Sequence, residues 1–375
     1  MINRYDPKHF TLICELFNAC NLHCDFCVKN VEQPDLKLDL KYIVDTLPKD
    51  LYKIVLPELI DRKVDTLLFN IYGGEILMDS LGDEFFDAYR YLRDTFDSMI
   101  HQYLPNCKIP CTIVTNAVFE KRDRVLKLLN DLNATLNISY DPTGRYRTSE
   151  QKRLAQKNIE FFCRYDKVSM ITATMTKPTI EAIVSEKDSY LSNLPKDLIF
   201  DLSYYLPMNN DNDALMPTDD ELFEFFKYCL DHRMFNVSEI NSFLTQYIYP
   251  EVETHSYCHN ARITSKVFGK TVFSNCCYDM VRHFYAKGEQ EYFGDNYKYI
   301  ESAKEEDRRL IGRAKRQCLL CNWEPKCPGM CYIAILWHGM KLSSCPIGRA
   351  FDYIDQHPEI VQDYITSFDP GKLLR

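Results

Sequence analysis

Cys20, Cys24 and Cys27 stand in the run CNLHCDFC, with three and then two residues between them. Three thiolates on one tight loop suit a metal or an iron–sulfur group. A zinc site usually takes four ligands, and no fourth cysteine lies nearby, although His23 is inside the loop. A four-iron cube takes one ligand per iron, so three cysteines leave one corner open for another molecule. A second block, CLLCNWEPKCPGMC, carries Cys318, Cys321, Cys327 and Cys331, with Cys345 beyond it. Cys258 and the adjacent Cys276 and Cys277 lie between the two blocks. The other five, Cys14, Cys107, Cys111, Cys163 and Cys229, are isolated in apolar surroundings and read as buried small hydrophobes.

The rest of the chain narrows the setting. Its 375 residues allow about two domains, or one large fold with an extension. A hydrophobic content of 46% supports a substantial core. The longest apolar runs, such as TLLFNIY, fall well short of the roughly 18–20 residues of a membrane span. The amino terminus, MINRYDPKHF, lacks the basic-then-apolar pattern of a signal peptide, so the expected location is the cytoplasm. Without a secretory signal, many cysteines point to metal binding or catalysis before disulfides. The net charge is −9 with no dense basic segment, which argues against a duplex nucleic-acid partner.

The elements that must position these cysteines follow a βα rhythm. Strands are expected at 9–16, 65–72, 111–116, 135–140, 168–175 and 198–206. Helices are expected at 40–55 (interrupted near Pro48), 83–100, 124–132, 149–163, 179–192 and 221–232, the last opened by the capping sequence TDDE. Six such repeats imply parallel pairing with right-handed crossovers, in a barrel or in an open doubly wound sheet. Either way the first cysteine loop and Gly73-Gly74-Glu75 fall at the carboxyl ends of strands, where parallel α/β folds place their chemistry. After about 235 the alternation stops. A hairpin is expected around Gly269-Lys270, a charged helix at 295–317 and a final helix at 351–366.

The CxxxCxxC loop, with Phe26 just before its last cysteine, resembles the motif of the radical S-adenosylmethionine (SAM) superfamily. Further matches follow in order: Gly73-Gly74-Glu75 resembles that family's GGE, Thr115-Asn116-Ala117 its TNG with alanine for glycine, and Ser139-Tyr140-Asp141 its SxD. The resemblance covers about residues 9–206 and implies a partial (β/α)6 TIM-type barrel. It also implies a [4Fe–4S] cluster on Cys20, Cys24 and Cys27 that binds SAM, with Glu75 accepting from the methionine amino group and Ser139 holding ribose or carboxylate. Asn116 and Asp141 complete the implied set, with loop capping as their alternative role.

The later block, Cx2Cx5Cx3C, is similar to the SPASM extension of radical SAM enzymes that modify peptides and proteins. That likeness implies two auxiliary [4Fe–4S] clusters, one on Cys318, Cys321, Cys327 and Cys345, the other on Cys258, Cys331 and Cys276 or Cys277, with the second of that pair or an open site in the fourth position; a structural zinc pair stays open. It divides the chain into a barrel at 1–235, a connection at 236–257, a small cysteine-rich SPASM-type domain at 258–350 and a tail at 351–375. The implied partner is a precursor peptide or protein, with a reductant such as flavodoxin or ferredoxin. Only 19 residues precede Cys20, so a leader would be gripped by a separate protein or by the enzyme's own surface. The implied product is a carbon–carbon or thioether crosslink; the alternatives are formylglycine formation of the anaerobic sulfatase-maturing kind, for which Asp279 is the candidate base, and a non-catalytic electron carrier.

Overall fold

The computed structural model describes residues 8–27, 36–185, 195, 198–205, 213–250, 261–267, 270–274, 316, 318–324, 326–327 and 344–367. The expected βα rhythm is there: β1 (His9–Glu15), α1 (36–61), β2 (Thr66–Tyr72), α2 (Asp83–Tyr103), β3 (Cys111–Thr115), α3 (Arg122–Asp131), β4 (Ala134–Ser139), α4 (Ser149–Cys163), β5 (Val168–Met175), α5 (Lys177–Val184), β6 (Ile199–Tyr204) and α6 (Asp219–Asp231). Then come α7 (Ser238–Ile248), the hairpin β7 (Ala261–Val267) and β8 (Lys270–Ser274), α8 (Pro346–Gln356) and α9 (Pro358–Ser367). The expected helix at 295–317 lies outside the described residues, apart from a helical Arg316.

The six βα strands lie in sequence order, each parallel to the next. A doubly wound sheet reverses direction at a switch point. This one never does, so its right-handed crossovers all step the same way and the sheet curls into a half-barrel with helices outside. Alternation along the strands fixes the two faces. Leu67, Phe69 and Ile71 of β2 are fully buried, and Phe69 meets Phe96 of α2 at 5.0 Å. The intervening Leu68, Asn70 and Tyr72 are half-buried on the opposite, inner face. That inner face is polar: Thr112 donates to Asn70, and Thr172 to Asn137 at 2.6 Å.

Three expectations are corrected. The helix at 40–55 is not interrupted at Pro48. It runs from 36 to 61, with π turns at Tyr42–Thr46 and Leu51–Val55 just before Pro48 and Pro57. The wider turn moves the preceding carbonyl away from a proline ring that has no N–H to offer it. The carboxyl-terminal helix is two helices, because Pro358 disfavours helical geometry at His357, which sits at φ −126° and ψ 67°. The helix α7 was not expected at all. Phe243 on α7 is buried against Phe226 of α6 and Phe351 of α8, at 5.1 and 5.9 Å.

The two strands of the expected hairpin pair antiparallel up to Val267 and Lys270, but their place is new. β7 pairs in parallel with β1, from Thr11 opposite Ala261 to Glu15 opposite Ser265, and β8 closes antiparallel on β7. The sheet therefore has eight strands in the order 6-5-4-3-2-1-7-8, and Phe273 of β8 joins the core. The β7–β8 hairpin is thus anchored on the strand that leads into the first cysteine loop.

Candidate functional site

β1 leads directly into the cysteine loop, which crosses the carboxyl ends of β2 and β3. Leu16 N donates to Tyr72 O at 2.9 Å, Gly74 N to Phe17 O at 2.7 Å and Glu75 N to Ala19 O at 2.8 Å. The loop backbone lies so close that a Cβ on Gly74 would stand 2.1 Å from Ala19 O and 2.5 Å from Asn18 O. At Gly73 a Cβ would first meet the Ile76 side chain at 2.8 Å. Gly74 is therefore the position at which only glycine lets the loop settle.

The end of β3 takes the next contact. Asn116 Nδ2 donates to Asn21 Oδ1 at 2.8 Å and reaches Cys20 Sγ at 3.8 Å. Asn21 Nδ2 donates to Val118 O at 2.7 Å. Ala117, between them, holds φ 58°, in the left-handed region where glycine is usual. Asn158 of α4 secures this turn from behind, donating to Ala117 O and Phe119 O at 2.8 and 2.7 Å.

Glu75 is wholly buried. Its carboxylate accepts from Leu77 N at 2.9 Å, Asn116 N at 2.6 Å and the Thr115 hydroxyl at 2.9 Å. It ties the loop after β2 to the end of β3, and three protein donors already occupy it. Burial pushes its carboxyl up to about 7, against the pull of those hydrogen bonds.

The loop after β4 grips the cysteine segment from the other side. Asp25 N donates to Gly144 O at 2.9 Å, and Arg147 reaches His23 O at 2.6 Å and the Asp25 carboxylate at 2.7 Å. Gly144 has φ +75° and lies against the ring of Phe26, which a Cβ would touch at 3.3 Å. Arg145 Nε pairs with Asp141 Oδ2 at 2.5 Å, and its Nη1 lies 3.8 Å from Cys24 Sγ. Asp141 is fully buried and also accepts from Thr174 N at 2.6 Å. Ser139 is half-buried in register with Thr172 on the inner face.

Three half-buried thiols thus sit at the mouth of the half-barrel. Burial pushes Cys24 up to about 12 and raises Cys20, while Arg145 pulls both back. Among the described residues no three His, Cys, Asp or Glu side chains converge on one point as a single ion would need. Cys20, Cys24 and Cys27 nevertheless lie within electrostatic reach of one another. A cube takes one thiolate per iron, so three cysteines on one loop suit it; a four-ligand zinc site wants a fourth ligand that no described residue supplies there.

The second block is placed in part. Cys318 and Cys321 flank a tight turn, with Cys321 N donating to Cys318 O at 2.9 Å. Trp323 fastens it to the carboxyl-terminal helix: Nε1 donates to Asp352 at 2.7 Å, and the ring meets Phe351 at 5.4 Å. Cys327 N donates to Trp323 O at 2.7 Å. Cys345 caps the start of α8, its thiol raised by burial and, in smaller part, by nearby Cys321. Cys258, Cys276, Cys277, Cys331 and Asp279 lie outside the described residues. Of the isolated cysteines, Cys14, Cys107, Cys111 and Cys229 are buried as expected, and Cys163 is half-buried.

Sequence reasoning missed Asn21, Gly144, Arg145, Arg147 and Asn158. The only trace was a glycine followed closely by two arginines in a strand–helix loop, a pattern common on solvated surfaces.

No protein-family profile matches the sequence, and no curated protein matches it. Solved structures do. "Native anSMEcpe with bound AdoMet and Cp18Cys peptide", an anaerobic sulfatase-maturing enzyme, superposes with a TM-score of 0.62 at 14% identity, covering 96% of this chain and 100% of that one. The same enzyme with AdoMet alone gives 0.59 at 16% identity, with the same coverage. The chain shares that enzyme's fold.

Proposed function

We propose that this chain is a radical SAM enzyme that modifies a peptide or protein. The observation that carries the reading is the locked cysteine loop: three thiols at the mouth of a half-barrel, held on β2 by Gly74, on β3 by Asn116 and on the β4 loop by Gly144 and Arg147. When bound, a reduced [4Fe–4S] cluster and SAM supply a hydrogen-abstracting adenosyl radical. Cys20, Cys24 and Cys27 would hold the cluster. The inner face, with Ser139, Asn137 and Thr172, offers neutral hydrogen-bonding groups beside it for SAM and substrate. Glu75, already bonded to three donors, contributes by keeping Asn116 and the loop in place.

The finer reading follows from the second block. Cys318, Cys321, Cys327 and Cys345 would hold one auxiliary cluster, and Cys258, Cys331 and Cys276 or Cys277 another. Such clusters accept the second electron that crosslink formation releases from a substrate radical. The substrate would be a precursor peptide, and a small redox protein would supply the reducing electron.

The test uses anaerobically reconstituted protein with SAM and dithionite. The wild-type chain should release 5′-deoxyadenosine, and Cys24→Ala should release none. Undiminished release from the variant, or none from an iron-replete wild type, refutes the proposal. Formylglycine formation is a second reading, favoured by the fold shared with an enzyme crystallised with a Cp18Cys peptide. Mass analysis of a cysteine-type sulfatase peptide after incubation decides between the two.

A further inference from the structure

Arg145 places a guanidinium nitrogen within hydrogen-bonding range of a candidate cluster thiol, Cys24, and no motif announced it. Its guanidinium is fixed on three sides. Nε is bound to the buried Asp141, Nη1 faces Cys24 Sγ at 3.8 Å, and the plane lies 5.2 Å over the ring of Phe26, the residue before Cys27. Gly144 sets the approach, since its left-handed backbone sends Asp25 N to its own carbonyl and turns the next residue inward. Asp141 is held in turn by Thr174 N of β5, so the guanidinium cannot swing away without breaking a buried ion pair.

Building on the proposed cluster site, we infer that Arg145 is a positioning residue that donates to the Cys24 thiolate and raises the reduction potential of the SAM-binding cluster. The physical reason is charge. Reduction adds one electron to a group already carrying three thiolates, and a fixed cation with an N–H aimed at one sulfur stabilises the more negative state. The fork of the guanidinium matters as well as its charge. It serves Asp141 and Cys24 together, which a lysine ammonium on a flexible stem does not reproduce. Asp141 is then the anchor that keeps the donor aimed.

The experiment is an EPR-monitored redox titration of reconstituted full-length protein. It follows only the signal that changes when SAM is added, so auxiliary clusters do not enter. Arg145→Met should keep the iron content and move that midpoint to a more negative potential. Arg145→Lys, which retains charge without the fork, should fall between the two. An Arg145→Met protein with full iron and an unmoved midpoint overturns the inference. If Arg145→Met fails to assemble the cluster, Arg145→Lys decides alone: a negative shift supports the role, and a wild-type midpoint overturns it. A wild-type protein with no SAM-responsive signal would instead refute the proposed function on which this rests.

Discussion

Gly74→Ala tests whether the cysteine loop is built by close backbone approach. The new Cβ would stand 2.1 Å from Ala19 O, 2.5 Å from Asn18 O and 2.6 Å from Ala19 C. All three are backbone atoms, so no side chain can rotate to relieve them. A carbon–oxygen contact needs roughly 3.3 Å, and the loop must retreat by about 1 Å. That retreat stretches two bonds, Gly74 N to Phe17 O at 2.7 Å and Glu75 N to Ala19 O at 2.8 Å. Each buried group left unpaired costs about 1–3 kcal/mol, giving a loss of about 2–6 kcal/mol, a large part of the roughly 5–15 kcal/mol that holds a domain folded. The first cysteine, Cys20, follows directly on the displaced segment. The expected outcome is therefore a lower urea midpoint together with loss of about four irons per chain after reconstitution. Gly73→Ala is the control. Its contacts are milder, 2.8 Å to the Ile76 side chain and 3.0 Å to Phe17 O against 2.1 Å to Ala19 O, so it should lose less stability and keep more iron. An unchanged urea midpoint and iron content in Gly74→Ala would refute the reasoning.

The buried Glu75 carboxyl, pushed up to about 7 from an ordinary 4.5, makes stability pH-dependent. The folded state binds the extra proton, so this contribution is fully present below about pH 4.5 and is lost as the pH rises through about 7, amounting to about 3 kcal/mol. Unfolding of the metal-free protein between pH 5 and 8 should show that fall in wild type, and a flatter profile in Glu75→Gln; parallel profiles would count against it. Trp323→Ala removes the bond to Asp352 and the packing of a half-buried ring on Phe351, which costs about 1–3 kcal/mol locally. It should release the turn carrying Cys318 and Cys321, lowering iron by about one cube while 5′-deoxyadenosine formation continues. Full iron in that variant would mean the helix contact does not hold the turn.

Much of this fold was legible in the sequence. The strand at 168–175 and the helix at 149–163 have the expected limits, because alternation and helical periodicity are set by the chain's own short-range repeat. The TDDE capping signal also forms, with Thr218 accepting from Glu221 N and Glu221 accepting from Thr218 N. The cysteine spacing alone suggested a cube with an open corner, because ligand number is a local property of the loop. Tertiary structure decided the rest. That the sheet curls without reversing depends on strand pairings tens of residues apart, and that β7 docks on β1 rather than founding a separate sheet depends on the far longer reach from Thr11 to Ala261. Gly74 and Arg145 are the clearest cases. The Gly-Gly-Glu resemblance picked out Gly74 without showing what presses on it, and Arg145 reads as an ordinary loop arginine. Only folding brings Ala19 O onto the one, and carries the other across 121 residues to Cys24.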